Sequence, residues 1–366
     1  MTPSDAWLRL ALVPGLGPIT AARLVDAVGG DIAAAFDLRM GELTAIDGIG
    51  GERARRIADP RAATAVAEER ARAAALGVRI STRADADYPQ ALLRLADPPL
   101  AVWLRGTLEP RDALALAVVG PRRPSAYGHR VAQRFCTGLA RAGVCLVSGL
   151  ARGIDTVAHE AALAMQGRTI AVLGSGLGRL YPDENAPLAE RIAGAGCVLS
   201  EFPCDMPPAP GNFPRRNRIV AALALATLVI EAGGQSGALI TARLAMELGR
   251  EVLVVPGAID NPESAGANQL IRDGATLVAS LDQIFDEVEP LATLSRGVEQ
   301  PASELRAATL SGREKQLYAL VDDQAKSIDD VVRVAGLPAS AVSATLLSLE
   351  LKRMVRKTPG GFVRAV

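Results

Sequence analysis

Residues 227–257 read TLVIEAGGQSGALITARLAMELGREVLVVPG. The stretch opens on an apolar run, breaks at Gly233-Gly234, turns helical over Leu239–Leu248 and closes on a second apolar run, Glu251–Val255. Short apolar run, glycine loop, amphipathic helix and another short apolar run together make a βαβ unit, the building block of a parallel sheet. The same grammar repeats upstream, with runs at Leu114–Val119, Val144–Ser148, Thr169–Leu173, Cys197–Ser200 and Thr227–Ile230. These runs are almost wholly apolar rather than alternating, as strands covered on both faces require. Stretches such as Asp155–Met165 supply the crossover helices. The expectation is an α/β protein whose centre, residues 81–287, is an open, doubly wound Rossmann-like parallel sheet.

The flanks read differently. Residues 1–80 hold two similar units, Leu12–Val28 (LVPGLGPITAARLVDAV) and Ile46–Ile57 (IDGIGGERARRI). Each sets an apolar–Gly–apolar–Gly run before a helix, the helix-hairpin-helix (SAM-like) pattern, in which the glycines permit a positive-φ turn and expose N–H groups to a phosphate. A plain αα-hairpin explains the glycines equally well. Periodicity fades over 288–310, which reads as a linker. Residues 311–366 show helices at Glu314–Leu320, Ile328–Ala335 and Ala339–Leu351, then a basic hairpin, Val355–Val363, turning at Pro359-Gly360-Gly361. Helix, helix–turn–helix and hairpin describe a C-terminal winged helix.

Bulk properties narrow the function. A chain of 366 residues calls for two or three domains. Hydrophobic residues at 49% and charged residues at 22% fit a globular protein with large cores. No apolar run reaches the roughly 18–20 residues of a membrane span, so no membrane partner is expected. The N-terminus lacks a secretory pattern. Cys136, Cys145, Cys197 and Cys204 form no CxxC pair, which points to a reduced, cytoplasmic setting without disulfides or zinc. Net charge is zero, yet Val119–Arg218 carries twelve arginines against seven acids, and a local basic surface suffices for a local phosphate contact.

Five predicted strands end in glycine-bearing loops: Gly120-Pro121-Arg122-Arg123, the turn from Ser148-Gly149, Gly174-Ser-Gly-Leu-Gly178, Gly233–Gly237 and Pro256-Gly257. In an open α/β sheet such loops converge on one crevice, where helix N-termini attract anions. Gly174–Gly178 is followed by Arg179, so GxGxxG is not met, and no GxxxxGK[ST] is present. The most telling segment is Gly211–Arg218, GNFPRRNR. Phe213 offers a base a stacking face, and Arg215, Arg216 and Arg218 offer phosphate contacts. Read blandly, Phe213 is a helix staple and the arginines are a solvated first turn. Cations at a helix N-terminus oppose its dipole, however, and call for an anion. Asp155, as a helix N-cap, and His159 stand at i, i+4 and read as mutual support. Glu231, at a strand end, reads as a positioning carboxylate. Ser148, Ser175 and Ser236 lie outside any GxSxG elbow. No catalytic constellation, metal site or cofactor is expected.

The segments AVVGPRRPSAYG (117–128), SGLARGIDTVAHEAAL (148–163), TIAVLGSGLGRLYPDEN (169–185), LSEFP (199–203), GNFPRRNRIVAALA (211–224), residues 229–257 and SAGANQLIRDGA (264–275) follow one another in an order that resembles the DprA/Smf family. The resemblance implies single-stranded DNA binding without catalysis. It implies protection of incoming strands in natural transformation, loading of the RecA recombinase, and a homodimer. Carried over residue by residue, it assigns DNA or phosphate contacts to Gly120, Arg122, Ser148, Gly149, Phe213, Arg215, Arg216, Arg218, Ser236 and Gly237. The chain departs from the family pattern at Pro121, where a Ser would add a hydroxyl and an N–H, and at Ala238. Lys352, Arg353, Arg356 and Lys357 near the wing suggest duplex DNA contact, although winged helices also bind proteins. Two other readings stand beside the binder. One is a nucleotide-processing enzyme of the lysine-decarboxylase-like phosphoribohydrolase type, whose acidic pair after the Gly-Gly loop is missing here. The other is a winged-helix transcription regulator.

Overall fold

The apolar runs form strands because each is buried on both sides. In residues 115–119 Ala117 and Val119 join a core with Ile219, Leu239 and Ala242 of two helices on one face. Their neighbours Leu116 and Val118, equally buried, point the other way by the pleat. Among the described residues the sheet has nine strands: β1 (Arg79–Thr82), β2 (Ala101–Gly106), β3 (Ala115–Val119), β4 (Cys145–Ser148), β5 (Thr169–Leu173), β6 (Cys197–Ser200), β7 (Ala226–Val229), β8 (Glu251–Val254) and β9 (Thr276–Leu277). Their order is β1-β2-β6-β5-β4-β3-β7-β8-β9. β3 to β9 pair in parallel, while β1 and β2 form an antiparallel edge against β6. The fold class is the doubly wound α/β sheet expected. The antiparallel edge escapes the strand pattern because Arg79, Ser81, Thr82 and Arg105 interrupt its apolar runs.

The computed structural model describes residues 1–295, 310–322, 326–352, 354–358 and 361–364. The chain divides into two units, 1–295 and 296–366. Within the first, the helices Pro3–Ala11 and Arg61–Ala75 lean on the sheet through Leu8, Val66 and Ala73, which share a core with Trp103 and Leu173. The buried Glu69 locks that contact. Its Oε1 accepts from Trp103 Nε1 at 2.8 Å and from the Cys204 N–H at 2.7 Å. Gly15 (φ 80°) and Gly48 (φ 85°) take the positive-φ turns that the two hairpins need. Residues Glu289–Ser295, placed in the linker by their weak periodicity, form a helix. It follows directly on the helix Leu281–Glu287 and buries Leu291, one anchor that no period reveals. The rest of the expected linker, 296–309, lies outside the described residues.

The second unit has helices at Gly312–Leu320, Ile328–Ala335 and Ala339–Leu351, then β10 (Val355–Thr358) and β11 (Gly361–Arg364) paired antiparallel. Leu317, Val331, Leu346, Leu349 and Phe362 form its core.

Candidate nucleic-acid interface

The strand order places the site. From β3 the chain steps outward through β4 and β5 to β6, then returns to β3's other side for β7 and β8. Loops leaving the carboxyl ends of β3 and β7 therefore part, and a crevice opens between them. It is an open cleft of about 590 Å³ lined by Gly120–Arg122, Gly149, Phe213, Arg216 and the loop Gly233–Gly237, among others. The helices Asn212–Leu223 and Gly237–Glu247 start at it, and neither has an acid in its first turn. Their dipoles, and the uncapped N-terminus of Asn212–Leu223, make the cleft a place for anions.

The helical period sorts GNFPRRNR. Phe213, Arg216, Asn217 and Val220 share one face and line the cleft. Arg215 and Arg218, three apart, share another. The Arg122 guanidinium lies over the Phe213 ring, 5.5 Å from its centroid. Gly174 backs that ring so closely that a Cβ there would come within 2.8 Å of Phe213 Cδ1. Gly149 leaves equivalent room for Arg216, since a Cβ would overlap the guanidinium. Arg216 is buried and donates through Nη1 to the carbonyls of Gly149 and Val172. Burial pushes its pKa down to about 10, so it stays charged at neutral pH, with Asp155 as counter-charge.

Asp155 does not cap its helix. Gly153 holds the cap position, and Asp155 accepts from the N–H groups of Gly149 at 3.0 Å and Ala151 at 3.2 Å, folding that loop beneath the cleft. Burial raises its carboxyl, and Arg216 opposes the shift. Nor does His159 bond to Asp155. The single proton of Thr169 Oγ1 goes to Leu146 O at 2.7 Å, so His159 Nδ1 donates to Thr169 Oγ1, also at 2.7 Å. Burial, then Arg216, pushes the imidazole down to about 3, and it is neutral.

Not every expected contact reaches the cleft. Gly120, Arg122, Gly149, Phe213, Arg216, Ser236 and Gly237 line it. Ser236 caps the helix behind it, its Oγ accepting from Ala238 N at 3.2 Å. Ser148 is fully buried and donates to Val118 O at 2.7 Å, tying β4 to β3, so it supports the turn without touching a ligand. Arg218, its side chain 8% exposed, is spent on Glu201 and on Asp97 O at 2.8 Å. The expected phosphate contact from Arg218 gives way to a buried ion pair. Arg215 points outward over Phe202, 5.2 Å from the ring centroid, away from the cleft. Glu231 is buried, accepting from Ser125 N at 2.9 Å and Asn261 Nδ2 at 3.2 Å, a loop anchor as read. Sequence reasoning passed over Tyr181, whose ring lies 5.9 Å from that of Phe213, and Glu263 on the far wall. A Tyr-Pro step after a glycine loop, in a chain only 3% aromatic, was the available signal for Tyr181.

In the winged unit, Lys352 Nζ donates to both Glu314 oxygens, at 2.7 and 2.8 Å. The Lys352 side chain is still 44% exposed beside this ion pair. Arg356 and Lys357 are exposed on β10, and Arg353 lies outside the described residues. Among the described residues no three His, Cys, Asp or Glu side chains gather to hold a metal, and no single helix is long and apolar enough to cross a membrane.

A family model described as DNA recombination-mediator protein A matches residues 79–289, which span the sheet and its cleft. The chain belongs to this family. A second model, the DprA winged helix domain, matches residues 300–361. Protein Smf of Escherichia coli (strain K12) is 43% identical over 279 residues, covering 76% of this chain and 75% of its own. The structure of DNA processing protein A from Streptococcus pneumoniae superposes with TM-score 0.68 at 31% identity, covering 79% of this chain and 99% of its own. The Helicobacter pylori DNA processing protein A, described for its single-stranded DNA binding mode, has TM-score 0.52 at 31% identity, over 60% of this chain and 97% of its own.

Proposed function

We propose that this member of the family binds single-stranded DNA in the cleft at the carboxyl ends of β3 and β7. On this reading it processes DNA as a recombination mediator. It protects incoming strands during transformation and loads RecA on them, as a cytoplasmic homodimer without catalytic activity of its own. The arrangement of Arg122 over Phe213 carries the reading. An exposed guanidinium packed against an aromatic ring makes a flat cationic platform on which a base of any identity can lie, since every base has a π-face. Arg216 and the two helix N-termini then meet the adjoining phosphates. The gap left by Pro121's missing N–H lies on the Arg122 wall, so cations and not backbone donors dominate that side. In the winged unit, Arg356 and Lys357 are the proposed duplex contacts.

Oligonucleotide binding as a function of salt tests it. Each neutralised phosphate contributes roughly 0.7 to the log–log slope for single strands. Phe213→Ala removes about 1–3 kcal/mol per stacked base. Wild-type affinity in both Phe213→Ala and Arg122→Ala would exclude the cleft as the DNA site. RecA filament assembly on protein-coated single strands, with and without this chain, tests loading separately.

A further inference from the structure

Phe213 divides two spaces. On one side is the main cleft with the Gly233–Gly237 loop, and on the other a smaller recess lined by Tyr181, Pro182, Ala151, Arg122 and Arg216. We propose that Tyr181 is a second stacking platform, so that the strand crosses Phe213 and lays the next base on the Tyr181 ring. The inference rests on the single-strand reading of the cleft.

Four observations carry it. The two rings are neighbours, with centroids 5.9 Å apart and planes tilted by 53°, so they close on each other and leave no slot between them. A base therefore stacks on the open face of each ring and does not wedge between the two. Tyr181 is only partly buried, in a chain whose Trp103, Tyr88 and Phe285 are all fully enclosed. Its loop is braced just after the ring. Asn185 Nδ2 donates to Leu150 O at 2.9 Å, and Arg152 pairs with Glu184 through two hydrogen bonds. The bracing holds the ring in place before any ligand arrives, which lowers the ordering cost of binding. Finally, Arg122 and Arg216 border both spaces, so the phosphate joining the two bases meets cations whichever base is seated first.

The experiment compares Tyr181→Ala, Tyr181→Leu and Tyr181→Phe with Phe213→Ala. Short oligonucleotides carrying one 2-aminopurine are used, with thermal melting of each variant as a fold control. Tyr181→Phe should match wild type. Tyr181→Ala and Tyr181→Leu should each lose about tenfold in affinity. They should also lose the quenching of one 2-aminopurine position while the adjacent position stays quenched by Phe213. Leu keeps the apolar packing against Phe213 but has no π-face. Wild-type binding by Tyr181→Leu would therefore show that Tyr181 only props its neighbour, and would overturn the inference. Weak binding by Phe213→Ala alone overturns the second platform while leaving the cleft as the DNA site. Wild-type binding by all four variants overturns both.

Discussion

Replacing Arg218 by Ala separates a structural arginine from a DNA-binding one. Its guanidinium joins the helix Asn212–Leu223 to Glu201, just beyond β6, and to Asp97 before β2. Both partners of the ion pair are enclosed, with side chains 8% and 3% exposed; Arg218 Nη2 donates to Glu201 Oε2, while Oε1 finds no hydrogen-bond partner among the described residues. Removing Arg218 leaves a buried carboxylate with only Arg215, 3.8 Å away, as a cation. Breaking such a pair from one side costs about 3–5 kcal/mol, a large part of the roughly 5–15 kcal/mol that holds a domain folded. Arg215 offsets some of this, so a loss near about 3 kcal/mol is expected. Urea unfolding at pH 7 measures it.

The pH dependence carries the same sign. Burial already raises the Glu201 carboxyl, and Arg218 is the largest influence lowering it. In the variant the folded protein takes up a proton before the unfolded chain does. The stability deficit therefore narrows as pH falls through the folded pKa toward the ordinary carboxylate value. Glu201→Leu combined with Arg218→Met should recover most of the loss, since apolar residues of similar volume replace a buried pair at little cost. In the cold, where the variant stays folded, the salt slope of DNA binding should equal that of wild type. Unchanged stability together with a slope lower by roughly 0.7 would mean that Arg218 faces a phosphate, and the buried-latch reasoning would fail.

Gly149→Ala should weaken single-strand binding about as much as Arg216→Ala, because the added Cβ occupies the space of the guanidinium; fluorescence anisotropy at fixed salt decides, and wild-type affinity would refute the close approach. Lys352, the Ser311 N–H and Ser348 hold the Glu314 carboxyl down at about 2. The folded state therefore resists protonation that the unfolded chain accepts. This stabilisation of the winged unit is complete above the ordinary carboxylate range and is lost as pH falls from about 4.5 toward 2. Lys352→Met should make acid unfolding of that unit begin at higher pH, followed by circular dichroism.

The sequence by itself determined the six central parallel strands, because strands buried on both faces must be apolar throughout and glycine loops must end them. It also marked GNFPRRNR, since one aromatic beside three cations at a helix start has few other uses. What it did not decide was which cation faces the ligand. Arg215, Arg216 and Arg218 are alike in one dimension, and only the 100° turn per residue sends Arg216 toward Gly149 while sending Arg218 toward Glu201. The partners that settle each role, Gly149, Val172, Asp97 and Glu201, come from distant strands and loops that the strand order alone brings together. Ser148 illustrates the same limit, a turn serine whose hydroxyl is turned inward to β3. Tyr181 illustrates the converse. A Tyr-Pro step after a glycine loop marks it locally without saying what it meets, and it becomes part of a site because β5 lies two strands from β3 and its loop returns to the ring of Phe213.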